Sequence, residues 1–438
     1  MKFSIHTMGC KVNQAESAAM AAALKAAGLE PCGSGEPGLV VLNTCAVTLV
    51  AEKEARRILR RLRREFPGAR VVAAGCLAQM APDRLLEGSL ADLALGNSWK
   101  GSLTALLEAP SGTALADGGP GGPFPEAPRG EPPAAFSGRT RAFHKIQDGC
   151  PRRCAYCVIP AVRGASRSLP LSRALADLTA AMEAGAAEAV LTGIHLGAWG
   201  ADLGGGESLA SLLDAVARDL RPDPGRFRLR LSSLEPGEAM ALLPAFRKHA
   251  FLAPHLHLPL QAGSDRVLRA MCRPYTAAEY RAAAEAFAGE LPGVSIGSDL
   301  IAGFPGETEE DFEEGMGAVR SLPLSYLHVF PFSERPGTPA AGLPGQVPPR
   351  ERRRRAALLK GLDREIRARF LEKSFALEHL ALAEGGLHRD TGRRRALTGN
   401  YLHALLPEGS DALPGRLLKV RLSPSRNLWG IPEAEPLP

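Results

Sequence analysis

Three stretches within the first hundred residues share one pattern: an apolar or β-branched run that ends in a small residue and a cysteine, followed by helical periodicity. They are Phe3 to Cys10, Leu39 to Cys45 and Arg70 to Cys76, and Ala15 to Ala27 and Ala51 to Glu65 between them read as helices. Strand and helix alternating in this way predict a parallel sheet. Parallel strands end on one edge, where open α/β sheets take ligands, so Cys10, Cys45 and Cys76 are expected to converge there. The competing reading is three buried cysteines that merely end strands.

Residues 111–138 are dense in Gly and Pro, lack apolar periodicity and read as a linker. Beyond it, strand-like runs recur near Ala142 to Asp148, Glu188 to His195, Arg226 to Leu234, His255 to Gln261, Ser295 to Phe304 and Tyr326 to Phe332. Helical stretches such as Leu171 to Ala184 and Ala277 to Phe287 separate them. Some six β/α units predict a TIM-like barrel or an open part of one, with its chemistry on the loops that follow the strands. A helix through Arg350 to Glu372 leads to short alternating runs, Phe375 to Ala383, Arg393 to Pro407 and Arg416 to Leu422, which suggest a small β-barrel. The expected organisation is therefore an α/β chain: a parallel-sheet domain over 1–110, the linker, a (β/α)6 partial barrel over 139–370 and a β-barrel over 371–438.

Composition narrows this picture. With 438 residues, 45% hydrophobic and 23% charged, the chain has material for several cores, and global disorder is excluded. The longest apolar stretches, such as Val71 to Met80, fall well short of the roughly 20 residues of a membrane-spanning helix, so no membrane role is expected. Met1 to Cys10 lacks the apolar core of a secretory signal, which points to the reducing cytosol. There, eight cysteines read as metal ligands or redox groups before disulfides. The net charge of +6 is uneven: residues 350–438 hold 18 Lys and Arg against 11 Asp and Glu. That suggests a polyanionic partner, or else a solvated helix opened by Arg350 and Arg352 to Arg355.

The sharpest local signal is Asp148-Gly149-Cys150-Pro151-Arg152-Arg153-Cys154-Ala155-Tyr156-Cys157, a C-x3-C-x2-C loop after the first barrel strand. Three thiolates on one loop can wrap a compact cluster and leave one metal position open, whereas structural zinc takes four protein ligands. Zinc completed by Cys272 or His144 is the competing reading.

This loop resembles the cluster motif of the radical S-adenosylmethionine (SAM) enzymes. In them three such cysteines hold a 4Fe-4S cluster, whose free iron SAM chelates before it is cleaved to methionine and a 5′-deoxyadenosyl radical. Together with the N-terminal triad, the sequence resembles the methylthiotransferases, which bear a second cluster. Matching segments include Thr7 to Gln14, Asn43 to Thr48, Ala74 to Gln79, Cys157 to Gly164, Thr192 to Gly197, Ser232 to Pro236, His257 to Asp265, Asp299 to Thr308 and Phe330 to Pro339, in the family's order. Gly9 to Asn13, Asn43 to Thr48 and Gln147 to Cys150 are similar to the bacterial MtaB branch. That branch places a methylthio group on C2 of N6-threonylcarbamoyladenosine beside the tRNA anticodon. The tail, including Leu397 to Tyr401, looks like the tRNA-gripping TRAM module.

The resemblance implies two 4Fe-4S clusters and SAM as cofactors. Cys150, Cys154 and Cys157 would bind the SAM-cleaving cluster, and Cys10, Cys45 and Cys76 the auxiliary one. It also suggests SAM contacts at Gly193, Ser233, Glu235, Gln261 and Gly303, with Tyr156 beside the adenine. The alternatives are an ordinary turn glycine at Gly193, a turn-stabilising Glu235 and a hydrophobic shield at Tyr156. The implied partners are the tRNA anticodon loop, an electron donor and a sulfur source. The basic helix from Arg350 and the segment Arg389 to Arg395 are the expected RNA footprint. Cys32 and Cys272 match no ligand motif and are expected to be free and buried. Rival functions are a sibling methylthiotransferase, acting on isopentenylated adenosine or a ribosomal-protein aspartate, and a non-catalytic iron-sulfur RNA-binding protein.

Overall fold

The apolar runs of the first hundred residues become parallel strands in a computed structural model, which describes residues 1–116, 140–424 and 430–437. Strands β1 (Lys2–Thr7), β2 (Glu30–Pro31), β3 (Leu39–Thr44), β4 (Arg70–Gly75), β5 (Leu93–Leu95) and β6 (Thr113–Leu115) form one parallel sheet in the order β2-β1-β3-β4-β5-β6. Helices α1 (Lys11–Ala26), α2 (Leu49–Glu65), α3 (Cys76–Met80) and α4 (Asp83–Leu86) cover it. Every residue of β3 is buried because the sheet is covered on both faces: Val40 and Leu42 pack with Leu59, and Leu39 and Val41 with Met20 and Leu24. That explains its uninterrupted apolar run.

The sequence reading missed β2, β5 and β6, strands of two or three residues that are too short for a periodic signal. It also assigned β6 to the linker, which is corrected here: Thr113 to Leu115 pair with Leu93 to Leu95 and extend the sheet. Pairing rather than its own periodicity makes this edge strand. From residue 117 the expected linker lies outside the described residues.

The second region opens with β7 (Ala142–Lys145) and a two-residue clasp of β8 (Gln147–Asp148) against β9 (Arg167–Ser168). It continues through β10 (Glu188–Thr192), β11 (Arg228–Leu231), β12 (His255–His257), β13 (Ser295–Ala302) and β14 (Tyr326–Pro331). Two parallel sheets, β11-β10-β7 and β12-β13-β14, meet at a bridge between Leu229 and Leu252 and so make a six-stranded partial barrel. Its helices are α5 (Ile159–Arg163), α6 (Leu171–Glu183), α7 (Leu209–Ala215), α8 (Pro236–Lys248), α9 (Asp265–Ala270), α10 (Ala277–Glu290), α11 (Glu309–Ser321) and α12 (Pro349–Ser374). Leu191, Leu229, Leu231, Ile296 and Leu300 belong to the core under the helices. The alternate positions of the same strands, among them Glu188, Arg230, His257, Asp299 and Tyr326, therefore face the lumen. The two edge strands β7 and β14 do not pair, and α1 of the first domain lies across β7, with Ala15 against Phe143 and Val190.

The tail is a closed barrel, β15 (Glu378–Leu387), β16 (Arg394–Thr398), β17 (His403–Leu405), β18 (Leu417–Ser423) and β19 (Glu433–Pro436), in the order β15-β16-β17-β19-β18. It is fastened to the larger barrel by lumen arginines. Arg228 donates to the carbonyls of Leu380 (2.6 Å) and Leu397 (2.8 Å), and Arg230 to that of Gly399 (2.9 Å).

The basic helix does not match its expected role throughout. Arg355 is buried and bonded to Glu307, Glu309 and Glu351, Arg354 pairs with Glu309 and Glu351, and Arg352 donates to the carbonyls of Val347 and Phe332. These three arginines hold α12 to the barrel. Arg350, Arg353, Lys360 and Arg364 remain exposed on one side of the helix.

Candidate cluster sites

Three strand ends deliver the first thiol triad. Cys10 is the N-cap of α1, Cys45 follows β3, and Cys76 is the first residue of α3 after β4. Gly9 sits at φ +85°, and a Cβ there would lie 2.9 Å from the Cβ of Cys45, so only glycine lets the Cys10 loop close on its neighbour. Asn13 donates to the carbonyls of Met8 (2.8 Å) and Thr44 (3.0 Å), and Thr44 donates to Ala74 (2.7 Å) while accepting from the N–H of Leu77. These bonds tie the three cysteine-bearing segments together. Burial, reinforced by the neighbouring Cys76 and Cys10, pushes the Cys45 thiol up to about 11.

The second triad is local. Gly149, at φ +73°, has the Ala165 carbonyl where a Cβ would stand, and the Cys150 N–H donates to Gly164 at 2.9 Å. The Ala155 N–H is held by the Met271 carbonyl, and Cys157 closes a turn onto Cys154. Burial, with Cys154 and Cys150 nearby, pushes the Cys157 thiol up to about 12. Arg273 donates to Cys154 Sγ (3.1 Å) and to Glu235 (2.9 Å). Nδ1 of His195 lies 3.7 Å from Cys150 Sγ, while its Nε2 meets Glu238. Burial lowers this imidazole, but the bonds to Cys150 and Glu238 outweigh it and raise His195 to about 9.

The donor chemistry fits iron-sulfur clusters better than zinc. Among the described residues, the groups of three whose ligand atoms all lie within 4.8 Å of one another include neither triad. Around one tetrahedral zinc, with Zn–S of about 2.3 Å, sulfurs would stand about 3.8 Å apart. Wider-set thiols are suited to a larger, highly charged centre, which would also displace the protons that burial holds on Cys45 and Cys157. Cys32 donates to the Gly35 carbonyl (3.2 Å) and is half-buried, and Cys272 is exposed, at φ +57° beyond the end of α9. The expectation that both are buried is thus corrected. The left-handed turn at Cys272 directs the residue outward.

Between the triads lies a buried ionic network. Arg163 donates to Glu16 (2.8 Å), Asp148 (2.9 Å) and Asn13 (2.8 Å), while Lys145 bridges Glu16 (2.9 Å) and Asp148 (3.0 Å), and Lys100 pairs with Glu16. Burial alone would raise the Glu16 carboxyl, but Arg163, Lys100 and Lys145 hold it well below the usual range. Glu16 and Asn13 belong to the Cys10 helix, whereas Asp148 and Arg163 flank the second cysteine loop, so one network fixes both sites relative to each other. A second clasp joins Arg335 to Glu52 at 3.0 Å. Sequence reasoning missed Glu16, Lys100, Lys145 and Arg273, because spacing reveals local motifs and not partners far apart in the chain.

The expected SAM contacts occupy the barrel's strand ends. Gly193 follows β10, and Gln147 packs where its side chain would be. Ser233 meets Nδ1 of His257 at 2.8 Å. Glu235 caps α8, and its two oxygens are taken by Arg273 and Arg152. Gln261 (φ +71°) and Gly303 (φ +75°) adopt left-handed turns, the second with its N–H on Glu307. Half-buried Tyr156 lies beside Arg273 on the cysteine loop.

The chain matches the family described as "Uncharacterized protein family UPF0004" over residues 2–96 and the Radical SAM superfamily over residues 145–317. Its fold is similar to that of the radical SAM methyltransferase TsrM from Kitasatospora setae, with a TM-score of 0.54 at 16% identity over 78% of this chain and 75% of that one. The region around the second triad is therefore a radical SAM core. Curated relatives named threonylcarbamoyladenosine tRNA methylthiotransferase MtaB are similar over almost the whole length. The one from Thermotoga maritima is 35% identical over 87% of this chain and 86% of its own, and the one from Aquifex aeolicus 35% over 96% and 100%. A tRNA-2-methylthio-N(6)-dimethylallyladenosine synthase from Nitratidesulfovibrio vulgaris is 34% identical over 95% of each chain. This chain belongs to the radical SAM methylthiotransferases, in the MtaB branch, and uses S-adenosylmethionine and 4Fe-4S clusters.

Proposed function

We propose that this enzyme converts N6-threonylcarbamoyladenosine at position 37 of tRNA to its 2-methylthio derivative. The observation that carries the reading is the meeting of two thiol triads across the network of Arg163 and Glu16, in a chain 32–35% identical to relatives bearing the MtaB name. Cys150, Cys154 and Cys157 hold one cluster, and Cys10, Cys45 and Cys76 the other. When bound, these groups supply one-electron cleavage of SAM and the methylthio group. The strand ends with Gly193, Ser233, Glu235, Gln261 and Gly303 would hold SAM, with Tyr156 beside it on the cysteine loop. Arg273 donates to Cys154 Sγ and orients it, while α1 covers the lumen along β7.

The tail barrel and the exposed cations of α12, Arg350, Arg353, Lys360 and Arg364, grip the RNA backbone, through which phosphate contacts supply salt-dependent affinity. An electron donor and a sulfur source serve the reaction in the cytoplasm. No helix among the described residues is long and apolar enough to cross a membrane. The test is mass spectrometry of nucleosides from total tRNA of cells lacking the gene and of the same cells carrying it. Gain of the 2-methylthio derivative of N6-threonylcarbamoyladenosine is expected. A methylthio mark on isopentenyladenosine instead would move the enzyme to the sibling reaction.

A further inference from the structure

The lumen of the partial barrel is polar: Asp299 stands beside His257 and His328, and a cluster of charges lies toward the tail barrel. Arg141, Arg228 and Arg230 surround Glu188 at 3.9, 2.5 and 2.9 Å, and Arg141 also reaches Glu384 at 3.8 Å, so three guanidiniums share two carboxylates. Oγ of Ser232 and Nδ1 of His255 are buried there without a hydrogen-bond partner among the described residues, the last on a residue 1% exposed. An unmet buried polar atom costs about 1–3 kcal/mol, so such a wall suits a polar ligand group and opposes an apolar one.

Lys11 adds a further cation. It stands one turn before Ala15 on the same face of α1, and Ala15 touches the lumen residues Phe143 and Val190. No ion pair or hydrogen bond engages Lys11 among the described residues. Its charge nonetheless reaches the buried His255, which burial first and then Arg230, Lys11, His257 and Arg141 hold well below the usual imidazole range. Lys11 also directly follows Cys10, so it lies at the junction of the first cysteine site and the lumen.

We infer that Lys11 is a specificity-determining residue that pairs with a carboxylate carried on the N6 substituent of the target adenosine. This rests on the reading given above and deepens it, since the threonylcarbamoyl group bears a carboxylate and the isopentenyl group is an uncharged hydrocarbon. Beside Lys11, which no carboxylate among the described residues engages, the substrate carboxylate finds a partner, while a hydrocarbon leaves Lys11 and the orphaned polar atoms unmet.

The test measures dissociation constants and initial turnover of the cluster-loaded enzyme with three synthetic anticodon stem-loops: one carrying N6-threonylcarbamoyladenosine, one its threonyl carboxamide, and one isopentenyladenosine. The wild-type enzyme should favour the carboxylate over the carboxamide by roughly 30-fold, the loss expected when one partner of a desolvated charge pair is removed. Lys11→Gln should abolish that preference, and Lys11→Arg should keep most of it, with iron content and melting temperature as controls on folding. Wild-type enzyme that binds carboxylate and carboxamide equally would overturn the inference without any variant. A full carboxylate preference in Lys11→Gln would overturn it too while leaving the proposed reaction intact, whereas preference for the isopentenyl stem-loop would remove the proposed reaction itself and the inference with it.

Discussion

The two cysteine triads are assembled by opposite routes. Cys150, Cys154 and Cys157 occupy one loop, shaped by Gly149 at φ +73° and by backbone bonds to Gly164 and Met271. Cys10, Cys45 and Cys76 come from the ends of three strands and meet only because a parallel sheet aligns those ends. The first arrangement depends on local backbone geometry and the second on a hydrophobic core, so the two should fail under different insults.

The largest expected effect separates their roles. With the loop triad in its proposed role of holding the SAM-cleaving cluster, Cys154→Ala should reduce both 5′-deoxyadenosine and methylthio product to background. Cys76→Ala should abolish only the methylthio product. Chromatography of both products from one anaerobic incubation checks this, and methylthio product from Cys76→Ala at the wild-type rate would sink the two-cluster reading.

The next effect concerns what joins the triads. Removing one partner of a buried ion pair costs about 3–5 kcal/mol when the other charge is left alone, and less than that where Lys100 and Lys145 stay beside Glu16 and Asp148. Arg163→Ala strips Glu16 and Asp148 of their shared guanidinium. It should lower the urea midpoint accordingly and raise the ratio of 5′-deoxyadenosine to methylthio product, because the sites lose their fixed relation. An unchanged ratio would mean that Arg163 serves folding alone.

A reciprocal pair of substitutions then tests the comparison directly. Leu42, fully buried in β3, should cost about 2–5 kcal/mol when cut to Ala, and that loss should loosen the strand ends before the loop. Gly149→Ala strains the loop and leaves the sheet alone. Iron analysis should therefore find about half the iron lost in each variant. Electron paramagnetic resonance should show the first-triad signal missing from Leu42→Ala and the loop signal missing from Gly149→Ala. Loss of the same signal in both would break the distinction.

The same contrast governs what could be read in the sequence. The loop triad is legible because its ligands lie within one decapeptide. The sheet triad is legible because three apolar runs each end in cysteine, and parallel topology supplies the rest. The barrel strands announced themselves through runs such as Arg228-Leu229-Arg230-Leu231, whose alternation is lumen against helix-covered core. Glu16, Lys100 and Lys145 gave no such signal, since a lone charged residue reads as a solvated position until its partner, far away in the chain, is known. For the same reason Arg352, Arg354 and Arg355 were counted toward RNA binding, although they fasten α12 to the barrel.

The smallest effect tests the strand on which both sites lean. β7 supports α1 on its lumen side and leads into the cysteine loop, and on its other face it buries His144 with Nε2 unbonded. Burial lowers His144 to about 4. Because the unfolded imidazole titrates near 6.5 and the folded one near 4, the unfolded chain takes up the proton first as pH falls. Stability from this residue is thus complete above pH 6.5 and is lost progressively down to pH 4. Between pH 7 and 5 that loss amounts to about 2 kcal/mol, read as a falling urea midpoint of the cluster-loaded protein under anaerobic conditions. His144→Phe should shallow this slope, and because α1 and the cysteine loop share β7, the iron of both triads should become less acid-labile together. Protection of the loop triad alone would show that the sheet triad does not depend on β7, and would make the two sites more independent than their shared ionic network implies.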